Sequence, residues 1–177
     1  MSTFQIDTER LSIRNFEEKD AHGLLALLSN PRVNCFMDEK IATIDEALKH
    51  ISDADHEYEF AVCLSDTDAF IGTLSGMREA PDTFSPCWNF LPEYCGCGYA
   101  TEAARAYFDY LFNEKGIRRI YAFTEDYNLA SQGVCRKLGM RHEGTFKEFI
   151  SFVKNPDGTS RYENTLQFAI LKKEWQS

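Results

Sequence analysis

The stretch Leu91-Pro92-Glu93-Tyr94-Cys95-Gly96-Cys97-Gly98-Tyr99-Ala100-Thr101-Glu102-Ala103 holds the residues best suited to chemistry. A strand ends at its proline and a helix begins in its alanine-rich second half. Between them, glycines at 96 and 98 let the main chain come close to a bound group. Loop N–H groups, together with those that a first helical turn leaves unpaired, form a cradle for an anion such as a phosphate. No Lys-Ser/Thr pair follows, so this is not the phosphate loop of nucleotide hydrolases. The dinucleotide fingerprint is excluded too, because Gly-x-Gly is followed by Ala100 with no third glycine, deep in the chain. Taken alone, Gly-x-Gly also describes a tight turn before a helix.

The elements that must position this loop are legible on both sides of it. Phe4 to Arg14 alternates and reads as a first strand. Asp20 caps a helix through Ser29, with Leu24, Leu25, Leu27 and Leu28 on its apolar side. Thr43 and Glu46 form a capping box for a second helix, whose buried face is Ile44, Ala47, Leu48 and Ile51. Tyr58, Phe60, Val62 and Leu64 share one face of a strand that makes a hairpin with Ala69 to Met77. A loop around Pro81 to Pro86 leads into a short strand, Cys87 to Leu91. The strongest helix follows, with Ala100, Ala103, Ala104, Tyr107, Phe108, Leu111 and Phe112 in phase and Gly116 as its C-terminal cap. Arg119 to Thr124 is a strand and Asn128 to Leu138 a helix closed by Gly139. Phe146 to Val153 and Thr165 to Leu171 are final strands joined across Asn155-Pro156-Asp157-Gly158. This alternation predicts an α/β (α+β) fold with a mixed sheet and helices on both faces.

Composition narrows the function classes. A chain of 177 residues with 44% hydrophobic content can bury one real core. A formal net charge of -9 argues against nucleic-acid binding, which needs a basic face, while tolerating a cationic partner. No run of apolar residues is long enough to span a membrane, and Met1 to Arg14 lacks an export signal, so the expected location is cytoplasmic. The six cysteines form no CxxC pair, and Cys95 and Cys97 have no further ligands at zinc spacing; free thiols and no metal are expected.

The tract from Leu91 to Gly139 resembles the acetyl-CoA-binding core of the GNAT N-acetyltransferase superfamily. It is most similar to the branch of RimJ/RimL-type ribosomal-protein N-terminal acetyltransferases. Gly96-Cys97-Gly98-Tyr99-Ala100-Thr101-Glu102-Ala103 matches that branch's G-x-G-Y-A-T-E-A signature. Asn128-Leu129-Ala130-Ser131 matches N-x-x-S, Lys137-Leu138-Gly139-Met140 resembles K-L-G-F, and Glu143-Gly144 follows in place. Thr8-Glu9-Arg10-Leu11 resembles the branch's opening strand, so the likeness covers one domain, residues 8–175.

The resemblance implies a mostly antiparallel sheet of about seven strands, in which the two strands flanking the long helix splay apart. The pantetheine arm of acetyl-CoA would lie in that gap, paired with the backbone at Phe90 and Leu91. The pyrophosphate would sit on the N–H groups of Tyr94, Cys95, Gly96, Cys97, Gly98, Tyr99, Ala100 and Thr101. Asn128 would hydrogen-bond the pantetheine, with Arg136 and Lys137 nearby, the latter two reading equally as solvated surface charge. Acyl transfer needs an amine nucleophile, a stabilised oxyanion and a protonated leaving thiolate. The N–H of Leu91 or Phe90 is the expected oxyanion donor. Many members of the superfamily carry a tyrosine where this chain has Cys135; the resemblance to the RimJ/RimL-like branch, which relies instead on the serine of N-x-x-S, makes Ser131 the expected contact to the leaving sulfur, with Tyr127 as an alternative. Related enzymes often carry a base on the strand before the loop, but Pro86-Cys87-Trp88-Asn89 offers no carboxylate. Glu93 and Glu125 are the remaining candidates, each also readable as solvated surface charge. Trp88, Phe84 and Phe36 could line the acceptor pocket. The expected partner is an amine, either a small molecule or a protein N-terminus, and the chain a monomer or homodimer. A CoA-binding module without catalysis is the alternative.

Overall fold

The computed structural model describes residues 4–176. Eight strands form one sheet in the order β1-β2-β3-β4-β5-β6-β8-β7. The expected count was about seven because residues 4–14 read as a single strand. They form two, β1 (Gln5–Asp7) and β2 (Leu11–Arg14), paired antiparallel. The break is made by Thr8, whose N–H donates to the Leu11 carbonyl at 2.8 Å and whose Oγ1 accepts from the Leu11 N–H at 3.0 Å.

Helices α1 (Ala21–Leu28) and α2 (Ile44–Asp53) follow. The capping box of α2 forms as expected: Glu46 N–H donates to Thr43 Oγ1 at 3.2 Å and Thr43 N–H to Glu46 Oε2 at 3.1 Å. Leu48, expected on its buried face, is 37% exposed. Asp20 does not cap α1 with its side chain. Its carboxylate is buried and takes Arg14 instead, Nη1 to Oδ2 at 2.8 Å and Nη2 to Oδ1 at 3.0 Å. A buried acid claims a guanidinium before it claims a helix end, because an uncompensated charge costs more than an open cap.

Strands β3 (Phe60–Leu64), β4 (Phe70–Glu79) and β5 (Thr83–Phe90) form an antiparallel meander. β3 is apolar throughout because both of its faces are covered. Phe60 and Val62 join the core under α3 (Tyr99–Asn113) and α4 (Leu129–Lys137), while Ala61 and Cys63 meet α1 and α2. β5 begins three residues before Pro86, which the sequence suggested as a loop residue. A proline is tolerated in a strand that lacks a partner on one side. β5 pairs with β6 (Arg119–Glu125) only at Thr83↔Arg119 and Phe84↔Ile120, so Pro86 lies beyond their last contact.

That contact is the one parallel pairing among the described strands, and α3 makes its crossover. Beyond Phe84 the strands part, leaving an open seam between the carboxyl ends of β5 and β6. Gly116, at φ +68°, ends α3 as expected, with the Ile117 N–H donating back to the Leu111 carbonyl at 3.0 Å. β7 (Arg141–Lys154) and β8 (Ser160–Leu171) close the sheet. β7 starts before the expected Phe146, and register shifts at three places, with Glu148 at φ +47°, hide its alternation.

Candidate active site

The loop before α3 is built as a cradle, and it is narrower than the sequence suggested. A 3₁₀ turn over Pro92–Tyr94 uses up the first two amides. Tyr94 N–H donates to the Leu91 carbonyl at 3.0 Å and Cys95 N–H to that of Pro92 at 3.2 Å, which removes both from the expected anion site. The first α3 bond runs from Glu102 N–H to the Gly98 carbonyl at 3.1 Å. Between them the N–H groups of Gly96, Cys97, Gly98, Tyr99, Ala100 and Thr101 have no acceptor among the described residues. Gly96 and Gly98 sit at φ +81° and +86°, the left-handed region that favours glycine. A Cβ on Gly96 would meet nothing within 4 Å and one on Gly98 would stand 3.4 Å from Arg10, so backbone conformation rather than crowding is what favours glycine here.

Glu102, the acid of the A-T-E-A run, explains why the N-terminal motif accompanies the loop. It accepts from Thr8 Oγ1 at 2.6 Å, Arg10 N–H at 2.9 Å and Arg10 Nε at 2.7 Å. Burial pushes its carboxyl up, but these hydrogen bonds outweigh that and hold it below the usual range. Arg10 also donates to the Cys97 carbonyl at 3.1 Å and lies 4.4 Å from the Tyr99 ring centroid. The turn between β1 and β2 therefore clamps the start of α3. A depression of about 410 Å³ opens alongside, with Thr8, Gly98, Thr101, Arg105 and Lys137 in its wall. Arg136 lies elsewhere, donating to Gln132 at 3.2 Å and stacking on Phe168.

At the seam the oxyanion assignment changes by one residue. Leu91 N–H donates to the Ile71 carbonyl at 2.9 Å and is not available as an oxyanion donor. Strand alternation then turns the N–H of Phe90, register partner of Gly72, toward the seam, where β5 has no neighbour. Asn128 caps α4: its Oδ1 accepts from Ser131 N–H at 3.2 Å and its Nδ2 donates to Glu125 at 3.2 Å. Its carboxamide uses one N–H and one lone pair in the fold and keeps one of each for a ligand. Ser131 Oγ, half-buried, makes no hydrogen bond among the described residues.

Across the seam lies a second group of side chains on the α1–α2 face. Glu125, readable from sequence as surface charge, is 4% exposed because β6 ends under a 3₁₀ segment, Asn34–Glu39. It accepts from Cys35 N–H at 3.3 Å as well as from Asn128. Glu163, 6% exposed, accepts from Asn34 Nδ2 and from the Tyr127 hydroxyl at 3.3 Å. Burial pushes the Tyr127 hydroxyl up to about 12. Neither carboxyl has a cationic partner among the described residues. Glu93 is exposed and bonded to nothing described. Phe84 and Trp88 pack on the opposite face against α3, so of the three aromatic candidates Phe36 alone lies on this side. Cys135 is fully buried, and burial pushes its thiol up to about 12. Among the described residues no group of three or more His, Cys, Asp or Glu is placed to hold a metal ion, and no helix is long and apolar enough to cross a membrane.

The sequence profile of the acetyltransferase (GNAT) domain matches residues 10–141. The chain is also 35% identical over 173 residues to the uncharacterized N-acetyltransferase YnaD of Bacillus subtilis (strain 168), covering 96% of this chain and 98% of YnaD. The chain belongs to the GNAT acetyltransferase family. It is an acetyl-CoA-dependent N-acetyltransferase. A GNAT acetyltransferase from Bacillus anthracis superposes with a TM-score of 0.84 at 31% identity, covering 97% of this chain and all (100%) of that one. Mycobacterium smegmatis RimJ, solved in complex with CoA-disulfide, shares the fold with a TM-score of 0.72 at 17% identity, over 99% of this chain and 89% of its own.

In this GNAT enzyme the amides of Gly96 to Thr101 are unpaired among the described residues, the N–H of Phe90 faces the seam, and Ser131 stands in the first turn of α4. The amides of Leu91, Tyr94 and Cys95 are bonded within the protein, and Glu93 stands exposed with no partner among the described residues. Sequence reasoning missed Glu163 entirely. No spacing marks it, since it stands in a polar run between Arg161 and Thr165 and becomes buried only when Asn34–Glu39 folds over the sheet.

Proposed function

We propose that this enzyme transfers the acetyl group of acetyl-CoA directly to a primary amine that enters beneath the Asn34–Glu39 segment. Acetyl-CoA supplies an activated thioester. The chain's own residues supply everything else. Unpaired amides from Gly96 to Thr101 hold the diphosphate, with Arg105 and Lys137 adding positive charge beside them. Phe90 N–H donates into the seam where negative charge develops on the carbonyl oxygen. Ser131 Oγ hydrogen-bonds the departing sulfur. Glu125 receives the incoming amine and, directly or through water, its proton. A peptide α-amine, with a pKa near about 8, needs only such a modest base.

The observation that carries this reading is the unbroken run of free amides at the mouth of the parted strands. The acceptor is a protein N-terminus, an amino acid or a small amine. Relatives in fold whose names speak of ribosomal proteins, such as the serine and S5-alanine acetyltransferases of Vibrio species, favour the first of these. Incubation with acetyl-CoA and a panel of amines, reading free thiol, tests the reading. Release above the hydrolysis background is expected, and silence across the panel would contradict it.

A further inference from the structure

We infer that the amine acetylated here bears an apolar group beside its nitrogen and no carboxylate; this rests on the acetyltransfer reading above. The observations lie in one patch of the sheet. Glu125 of β6, Thr165 of β8 and Phe146 of β7 are successive register partners, so their side chains share a row on the α1–α2 face. Glu163 lies two residues along β8 on that face. Phe123 lies two residues back along β6, about 7 Å away at the rise of a strand. Its ring centroid is 6.1 Å from that of Phe146 and 5.7 Å from that of Phe149, which are 5.0 Å from each other. These rings are exposed by 43, 38 and 48%. The row therefore runs from buried carboxyls to an open aromatic shelf.

The buried end is hydrogen-bonded but carries no positive charge. Glu125 and Glu163 lack a cation, whereas the comparably buried Asp20 has Arg14. Thr165 Oγ1, in a residue 4% exposed, has no hydrogen-bond partner. A buried hydroxyl without a partner calls for one, and Thr165, unlike the likewise unpartnered Thr124 on the α3–α4 face, stands in the row that holds Glu125. An amine brings several N–H donors and, once protonated, the positive charge that the two carboxyls lack. A free amino acid would set its own carboxylate beside Glu163, where like charge opposes it. A second ammonium, as in a polyamine, would forfeit the apolar contact that the shelf offers. Arylalkylamines and peptide N-termini with a large apolar first residue share the required chemistry.

Steady-state acetylation of four small amines and one peptide separates these features. 2-Phenylethylamine tests ring and amine together, ethanolamine removes the ring, phenylalanine adds the carboxylate, and spermidine replaces the ring with charge. A Phe-Gly-Gly amide distinguishes a peptide source from a small molecule. The expected kcat/KM for 2-phenylethylamine or the peptide exceeds each of the other three by at least about tenfold. Phe123→Ala should shrink that ratio to below about threefold, and Phe149→Ser, at a more exposed site, should act likewise if the first variant folds poorly. Equal or better use of ethanolamine, phenylalanine or spermidine would overturn the inference while leaving acetyl transfer intact. No thiol release with any amine would overturn the acetyltransfer reading and this inference with it.

Discussion

The two halves of the site are made of different material. The proposed donor half is main chain, consecutive amides in one loop, held in place by Glu102 and the β1–β2 turn. The proposed acceptor half is side chain, drawn from Asn34–Glu39, the end of β6 and the middle of β8. A main-chain site tolerates most side chains around it and fails when a Cβ intrudes. A side-chain site fails one residue at a time, and its buried acids resemble structural ones until their partners are counted. Asp20 has its guanidinium; Glu125 and Glu163 do not.

The sharpest way to break that contrast is to remove the structural acid. Asp20→Ala leaves Arg14 buried without its main partner and should cost about 3–5 kcal/mol in chemical denaturation. Glu125→Gln, by contrast, should cost no more than about 1 kcal/mol while lowering kcat/KM for the amine at least about tenfold. Equal destabilisation by the two would erase the distinction between them.

The donor half is broken by Gly98→Val. At φ +86° a branched side chain is strained and would shift the loop that presents the amides, so CoA affinity by calorimetry should fall by about 100-fold or more. A folded variant with unchanged affinity would place the phosphates elsewhere. Ser131→Ala should act between the halves, lowering kcat by about 100-fold with CoA affinity nearly unchanged. An unaltered kcat would remove Ser131 from the mechanism.

The smallest expected effect belongs to neither half. The hydrogen bond from His50 to Glu59, at 2.7 Å, raises the His50 pKa above its ordinary value against the opposing effect of burial. Its stabilising contribution is therefore complete below about pH 6.5 and lost as pH rises through the folded pKa. The stability difference between wild type and His50→Gln should be under about 1 kcal/mol, largest near pH 6 and shrinking by pH 9. A difference that grows with pH would contradict this.

The same division of material explains what could be read from the sequence. The donor half was legible because glycine at positive φ and a helix start leave marks in residue type, as do the capping box of Thr43 and the stop at Gly116. The phase of a strand end leaves none. Whether Leu91 or Phe90 faces the seam depends on which amide β4 claims, and the Ile71 carbonyl decides it. Burial of Glu125 depends on Asn34–Glu39 reaching over from ninety residues earlier in the chain, a contact written in no local pattern. Asp20 misled for a related reason, since a cap and an ion pair use the same residue type. The β7 register shifts removed the alternation that would have marked its first residues and, with it, the aromatic shelf at Phe146 and Phe149.

Hydrogen exchange of the full chain with and without saturating CoA tests the central claim most directly. Protection should rise most at the amides of Gly96 to Thr101, with Tyr94 and Cys95, already bonded within the protein, changing little. Unaltered exchange across Gly96 to Thr101, at CoA concentrations that raise the melting temperature, would show that the cofactor is gripped by some other part of the molecule.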